Sequence, residues 1–309
     1  MSLPVSQPVV STGPTTRQHA VRRGVPERLR PLLLLSPALL VVGVFFVGGV
    51  AQAVLQSLGR QPFLGQTDWS FDAYRATFAD PAFRASLTLT LRVVVLSTGL
   101  ATVLGVAVAL LVRRHARGPL TTLLQSTLAV PHLVGALCIG LLLSPSGFAS
   151  RLGTGAGLVD GPQDFPVLTN DAFGWGIIAE YTWKEAPFVA VVALASMTPH
   201  VRDLEGAARV LGAGRWRRFT SVTLPLIAPP VAAASVLVAS FAAASYEVPR
   251  LLGQSFPATL PVVALQRYQD TDLLVRPQAM AVATIIAVLS LVLVAAYLTL
   301  VSRLSRRSL

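Results

Sequence analysis

Residues 205 to 230 read EGAARVLGAGRWRRFTSVTLPLIAPP, and this stretch lies between two long apolar runs of the chain. The stretch begins with a short amphipathic segment, which is followed by Gly212 and Gly214 and then by three closely spaced arginines. It continues through Leu224-Pro225 into apolar sequence. A membrane span would exclude so many arginines, whereas an ordinary loop would not carry a helical period. We therefore expect an ordered segment that lies beside a membrane rather than inside it.

The composition places the rest of the chain in a membrane. Of the 309 residues, 53% are hydrophobic and 13% are charged, and crossing a hydrocarbon core of about 30 Å takes about 20 apolar residues in a helix. Six runs of suitable length predict an all-α, polytopic bundle of six transmembrane helices. They lie at about 32–55, 87–112, 120–143, 173–197, 225–246 and 278–302.

The arginines predict the orientation of the bundle. With the N-terminus inside, the inner segments hold 16 arginines in 72 residues, against 7 in 91 residues of the outer loops. Cytoplasmic loops carry this excess of positive charge in membrane proteins. Both termini and the loop at 198–224 are therefore expected in the cytoplasm, and the net charge of +11 indicates topology rather than binding to nucleic acid.

The N-terminal region divides into a tail and a first span. Residues 1–30 are rich in Ser, Thr, Pro and Arg without an apolar period, which predicts a disordered cytoplasmic tail before a membrane domain at 31–309. The first apolar run ends near Ala51-Gln52-Ala53, as a secretory signal peptide would. The run is longer than a usual signal sequence and continues through Leu55, so we expect an uncleaved span.

A helix is predicted to begin the loop between the fourth and fifth spans. Thr198 can cap it with its hydroxyl, and Pro199 suits the first helical position. Asp203 and Glu205 lie early, where the helix dipole favours negative charge, and Glu205 can pair with Arg209 four residues later.

The same helix has a face of small side chains. Ala207, Ala208 and Leu211 follow helical spacing, and Gly212 permits a sharp turn after them. A surface helix built from small residues can lie deep in a groove of another protein. The alternative is an amphipathic connector that lies on the lipid headgroups, and helical spacing alone does not choose between the two.

The whole loop resembles a known family motif. The pattern E-x-A-A-x-x-x-G, followed by Trp216, Phe219, Leu224-Pro225 and Pro229, is similar to the cytoplasmic loop of inner-membrane permease subunits of binding-protein-dependent ABC importers. The resemblance implies a coupling helix that docks on an ATPase subunit. The residues implied in coupling are Glu205, Ala207, Ala208, Leu211, Gly212, Phe219, Leu224 and Pro225. Gly206 departs from the family, which usually has alanine there.

The resemblance covers most of residues 31–309 and includes WKEAPF at 183–188. It implies two ATPase subunits, a second permease subunit, an extracytoplasmic substrate-binding protein, and a location in a bacterial inner membrane. A phosphate-binding loop needs lysine after glycine. The single lysine of the chain, Lys184, follows Trp183 instead. ATP and Mg²⁺ are therefore expected on the ATPase partner, with no cofactor, metal site or enzymatic activity in this chain.

Polar residues within the spans are candidates for the substrate pathway, because charge inside a membrane is costly and often functional. The candidates are Glu180, Lys184, Glu185, Tyr246 and Glu247. Glu180 and Lys184 stand four apart, so a structural salt bridge between them is the alternative. Glu247 can equally lie at the outer membrane interface.

SYEVPRLLG at 245–253 resembles permeases for polyamines, thiamine or iron more than sugar permeases, so such solutes are expected ahead of sugars. Two other function classes remain open. In a secondary transporter, the membrane charges would relay ions and the loop would only connect spans. A membrane enzyme would need a catalytic cluster, and the four histidines are scattered without metal-binding spacing.

Overall fold

A computed structural model describes residues 30–62, 65–115 and 118–307. The tail predicted at 1–30 lies outside this range except for Arg30. Within the described residues the secondary structure is helical, apart from one isolated bridge between Gln61 and Gln66. The α-helices are α1 Arg30–Ser57, α2 Asp72–Ala79, α3 Pro81–His115, α4 Pro119–Ala129, α5 His132–Leu143, α6 Phe148–Gly155, α7 Trp175–Ser196, α8 Pro199–Val210, α9 Arg215–Arg218, α10 Leu224–Ala244, α11 Glu247–Leu252, α12 Leu260–Tyr268 and α13 Arg276–Arg307.

Two further short elements join these helices. A π-helical turn, Phe219–Thr223, connects α9 to α10, and a 3-10 turn, Leu273–Val275, precedes α13. Several helices begin at sequence signals: Asp80 accepts a hydrogen bond from the Ala82 amide at the start of α3, and the Asp171 carboxylate accepts three from the amides that open α7. These carboxylates satisfy amides that have no partner within the helix.

Five segments of the described chain are long and apolar enough to cross a membrane: Leu34–Ser57, Pro81–Arg113, His132–Gly155, Arg215–Ala244 and Leu273–Thr299. They correspond to five of the six predicted spans. The remaining prediction, at 173–197, coincides with α7, whose 22 residues include three charged side chains and so fall outside this group. The all-α membrane bundle is confirmed, and α7 as a sixth span stays a prediction.

The third predicted span, at about 120–143, is not one continuous helix. α4 ends at Ala129 and α5 begins at His132, with Val130 and Pro131 both extended between them. Proline lacks an amide hydrogen and disfavours helical geometry in the residue before it. Because the residues on both sides of Pro131 are apolar, composition alone gave no sign of this break in the helix.

Contacts divide the chain into two units, Met1–Gly49 and Val50–Leu309. The first contains the N-terminal part of α1, with exposed apolar side chains such as Leu34 and Phe45. In the second, α7 forms the centre, and its packing against α3 is the most extensive helix pair. The two helices approach closely at Gly105, where an added Cβ would lie 2.7 Å from the Ala186 carbonyl oxygen. Small residues permit such crossings in membrane bundles.

Candidate functional site

The loop of the opening motif folds as a helix, a turn and a return into the membrane. α8 runs from Pro199 to Val210, as Thr198-Pro199 predicted, although the Thr198 side chain makes no capping hydrogen bond. One face of α8, with Val201, Glu205 and Ala208, is buried or half-buried against the chain. Ala207 is exposed, so the predicted small face is divided between the two sides of the helix.

Gly212 ends this segment as predicted. Its φ of 81° lies in the left-handed region, where glycine avoids the strain of a side chain. The Ala213 amide donates to the Ala208 carbonyl, and the Gly212 amide donates to the Arg209 carbonyl, both at 2.9 Å. This is the Schellman arrangement, which satisfies the last carbonyls of a helix.

The apolar end of α8 is left uncovered. Val210 is 88% exposed and Leu211, which follows the helix, is 87% exposed. Trp216 is also exposed and lies beside Phe219, with their ring centroids 5.7 Å apart. Leu224 and Pro225 open α10 and remain exposed. An exposed apolar tip on a short, turned helix is a surface suited to a partner protein.

Glu205 is held inside the chain. Arg113, at the end of α3, donates to both carboxylate oxygens of Glu205, at 2.9 and 2.5 Å. The hydroxyl of Thr223, in the π-helical turn, also donates to Glu205. The expected pairing of Glu205 with Arg209 is wrong, because the bidentate guanidinium of Arg113 takes the carboxylate. We call Arg113, Glu205 and Thr223 the latch, since these three side chains join α8 to α3 and α10.

The latch is a strong electrostatic contact. The Arg113 and Glu205 side chains are only 23% and 21% exposed. Partial burial opposes ionisation of Glu205, but hydrogen bonds from Arg113 and Thr223 outweigh it, so the pKa of Glu205 lies below its usual range. Charge-assisted bidentate pairs of this kind are stronger and more directional than neutral hydrogen bonds. The latch therefore sets the position of α8 relative to two membrane helices.

A second polar cluster lies around α7. His132, the first residue of α5, has Nδ1 3.2 Å from a Glu180 carboxylate oxygen and Nε2 3.3 Å from a Glu185 oxygen. The ring also lies 4.7 Å from that of Phe241, between centroids. Glu180 is fully buried. Two carboxylates facing the two ring nitrogens suit an imidazolium, which donates from both.

Lys184 does not pair with Glu180, so the predicted salt bridge is wrong. Its ammonium instead donates to the carbonyls of Thr127 and Leu128, at 2.8 and 3.1 Å. These carbonyls belong to the last turn of α4, where helical partners are missing. The helix break at Val130 and Pro131 thus ends α4 at carbonyls to which the buried ammonium donates, and the Thr127 carbonyl also accepts from the Val130 amide at 3.3 Å.

In the ranges that the structure describes, the other pathway candidates, Tyr246 and Glu247, form no hydrogen bond or ion pair with this cluster. Glu247 is exposed at the start of α11, and Tyr246, just before it, lines a separate cavity of 390 Å³ with residues of α12 and α13. Arg92, a further charged residue within a predicted span, stacks over the Phe173 ring at 4.6 Å. Among the described residues, no cluster of three or more His, Cys, Asp and Glu side chains is arranged to hold a metal ion.

Sequence reasoning missed Arg113, Thr223 and His132. Each is distant along the chain from its partner, so helical spacing contains no signal for the contact. The available hints were an arginine at the end of a predicted span and a histidine within an apolar run.

The comparisons with known proteins agree with the motif. Residues 101–307 match the family model described as binding-protein-dependent transport system inner membrane component. The trehalose transport system permease protein SugA of Mycobacterium tuberculosis is 31% identical over 216 residues, covering 67% of each chain. The sulfoquinovosyl glycerol transport system permease protein SmoG of Agrobacterium fabrum is 26% identical, covering 89% of this chain and 91% of its own.

Solved structures share the fold. A chain of a bacterial ABC transporter involved in import of the acidic polysaccharide alginate aligns with a TM-score of 0.71 and 23% identity, over 89% of this chain and 97% of its own. The alginate transporter in complex with an alginate pentasaccharide-bound periplasmic protein gives 0.68 and 22%, over 87% and 94%.

These relatives favour the sugar alternative and do not support the expected polyamine, thiamine or iron-type solute. The family match covers well over half of the chain. Together with the apolar helices of the chain, this match shows that the protein is a multi-pass membrane protein. The chain belongs to the family of binding-protein-dependent transport system inner membrane components, the permease subunits of ABC importers.

Proposed function

We propose that this chain forms one half of the pathway of an ATP-driven importer for a carbohydrate or carbohydrate derivative. An extracytoplasmic binding protein delivers the solute, and two ATPase subunits drive transport through α8. The observation that carries the coupling role is the latched α8 with its exposed tip at Val210 and Leu211. An unlatched connector lying on lipid would need no such rigid attachment.

The latch suggests how movement is transmitted. When an ATPase subunit moves the tip of α8, Glu205 carries the displacement to Arg113 and Thr223, and so to α3 and α10. Rigid, hydrogen-bonded elements of this kind transmit motion between two states of a packed bundle. A second permease subunit, identical or related, would complete the pathway, while ATP and Mg²⁺ would bind to the ATPase subunits alone.

The orientation follows from the same reasoning. Because ATPase subunits act from the cytoplasm, we infer that α8 and both termini lie in the cytoplasm and that the protein lies in a bacterial inner membrane. The excess of arginine in the inner segments supports this orientation independently.

The membrane charges support a solute without a large positive charge. Lys184 is committed to backbone carbonyls, and both glutamates of the cluster face His132. Phe241 and Trp183 are each 42% exposed nearby on α10 and α7, and aromatic faces pack well against sugar rings. Carbohydrates in the names of the relatives point to the same class.

Co-purification with the ATPase tests the coupling role. Leu211→Asp is expected to abolish recovery of the ATPase and uptake, since it places a charge on the exposed tip of α8. Leu158→Asp is the matched control, because Leu158 is 80% exposed in a predicted outer loop. ATPase recovery and uptake that survive in the Leu211 variant would contradict the proposal.

The substrate class needs a separate test. Thermal shifts of the partner binding protein are expected with disaccharides or glycerol-linked sugars and not with spermidine or thiamine. A shift with spermidine or thiamine alone would contradict the carbohydrate assignment. Uptake that collapses with an uncoupler, in cells that retain ATP, would instead favour an ion-driven transporter.

A further inference from the structure

A basic pocket of 650 Å³ opens beside the latch. Arg209, Arg215 and Arg218 line it together with Trp216. The Arg113–Glu205 pair forms part of the same wall and is neutral as a pair. Within the described part of the chain, none of the other three arginines forms a salt bridge, so the pocket presents three positive charges.

An apolar groove of 910 Å³ adjoins this pocket between α3, α10 and α13. Leu110 and Phe219 line both cavities, so the pocket and the groove adjoin at these two side chains. Along α3 the groove extends from Gly99 to Leu110, which is about 16 Å at 1.5 Å per residue. That length is about half of the 30 Å hydrocarbon core and so spans one leaflet.

The polar groups of the groove are already bonded within the chain. Thr102 and Ser235 share a hydrogen bond of 2.7 Å, and the Tyr297 hydroxyl donates to the Pro229 carbonyl at 3.2 Å. The remaining wall is apolar, with Val103 67% exposed. The groove therefore offers an apolar surface without a polar group that requires a partner.

We propose that the pocket and groove together bind one anionic phospholipid. Its phosphate lies among Arg209, Arg215 and Arg218, and an acyl chain lies along the groove. Arginine recognises phosphate with several directed hydrogen bonds, and basic pockets between membrane helices bind acidic headgroups. The site holds in either orientation of the chain, because both leaflets contain phospholipid.

The combination of the two cavities distinguishes this ligand from others. Free phosphate fits the pocket but leaves the groove empty. A second permease subunit could cover the groove but would leave three arginines at its rim unless it supplied acidic side chains. A lipid satisfies both cavities with one molecule, and its headgroup then lies against the latch that holds α8.

Fluorescence of Trp216 provides the test. The full-length chain, with Trp69, Trp175 and Trp183 replaced by phenylalanine, is reconstituted in nanodiscs of phosphatidylcholine. Phosphatidylglycerol or phosphatidylcholine brominated near the head of the acyl chain is then titrated in. We expect phosphatidylglycerol to quench Trp216 at a much lower fraction than phosphatidylcholine, and equal quenching would overturn the proposal.

Arginine variants identify the site. Arg215→Gln with Arg218→Gln is expected to reduce the preference for phosphatidylglycerol about tenfold or more, since each arginine near a surface contributes to binding of acidic lipid. Arg217→Gln is the matched control, because Arg217 lies on the same short helix but outside the pocket. An equal loss in the Arg217 variant would indicate general surface charge and overturn the site.

Two further arms separate the competing occupants. Inorganic phosphate at millimolar concentration should leave the preference for phosphatidylglycerol unchanged. Loss of that preference in phosphate would indicate a site for free phosphate and overturn the lipid proposal. Val103→Cys in a Cys138→Ser background should not form a disulfide between two copies. Efficient cross-linking there would show that a second subunit covers the groove, and would overturn the placement of the acyl chain.

Discussion

Neutralising Glu205 should release α8 from the bundle. In Glu205→Gln the carboxylate that accepts two hydrogen bonds from Arg113 and one from Thr223 becomes an amide with a single acceptor oxygen. Exposed ion pairs contribute up to about 1 kcal/mol, whereas removing one partner of a buried pair costs about 3–5 kcal/mol. Side-chain exposures of 23% and 21% place this pair between those limits, at about 2 kcal/mol.

Hydrogen exchange of the α8 amides measures this loss directly. A loss of about 2 kcal/mol in local stability corresponds to about 30-fold faster exchange, when reclosing is faster than exchange. Asp203→Asn is the matched control, because it removes the same charge from an exposed position of the same helix. We expect exchange in that variant to change little.

A double-mutant cycle with Arg113→Gln tests whether the two residues act together. If they do, the double variant should exchange no faster than the more affected single variant. Effects that simply add, or an α8 that exchanges at the parent rate in Glu205→Gln, would refute the latch as the contact that positions α8.

Three more outcomes follow from the same region and one from the membrane cluster. Gly206→Ala should preserve transport and slow exchange of α8, because its Cβ would meet open space and alanine favours the helix by up to about 1 kcal/mol. Gly212→Ala should cost about 1–2 kcal/mol of local stability, measured by the same exchange, since φ is 81° there. Protection of α8 should persist as pH falls through about 4.3, the ordinary carboxyl pKa, and disappear only below it, because the pKa of Glu205 is lowered. His132→Gln should lower the thermal unfolding temperature of the purified chain, because the buried Glu180 then loses its imidazole partner.

The helix boundaries could be predicted from sequence wherever neighbouring residues contain a capping or turn signal. Thr198-Pro199 marked the start of α8, Gly212 marked its turn, and Leu224-Pro225 marked the start of α10, because each depends on the backbone preferences of neighbouring residues. The break at Pro131 was equally local, but continuous apolar composition on both sides concealed it.

The partners of the charged side chains could not be predicted from sequence in the same way. Spacing four apart predicted Arg209 for Glu205 and Lys184 for Glu180, yet Arg113 and His132 occupy those positions. Residues four apart on a helix are close enough to pair, but a helix packed at a crossing offers better-placed partners from other segments. Lys184 donates to carbonyls in the last turn of α4 rather than to the carboxylate four residues before it.

The amino-acid sequence alone determined the membrane class, most of the helical segments and the likeness of residues 205–230 to the family motif, because these depend on the amount of apolar residue and on local backbone chemistry. Only the tertiary structure decided that Glu205 bonds to Arg113 of α3 and to Thr223 just before α10, and that a basic pocket adjoins an apolar groove. Both features are built from residues far apart in the chain, and they exist only once helix packing has brought those residues together.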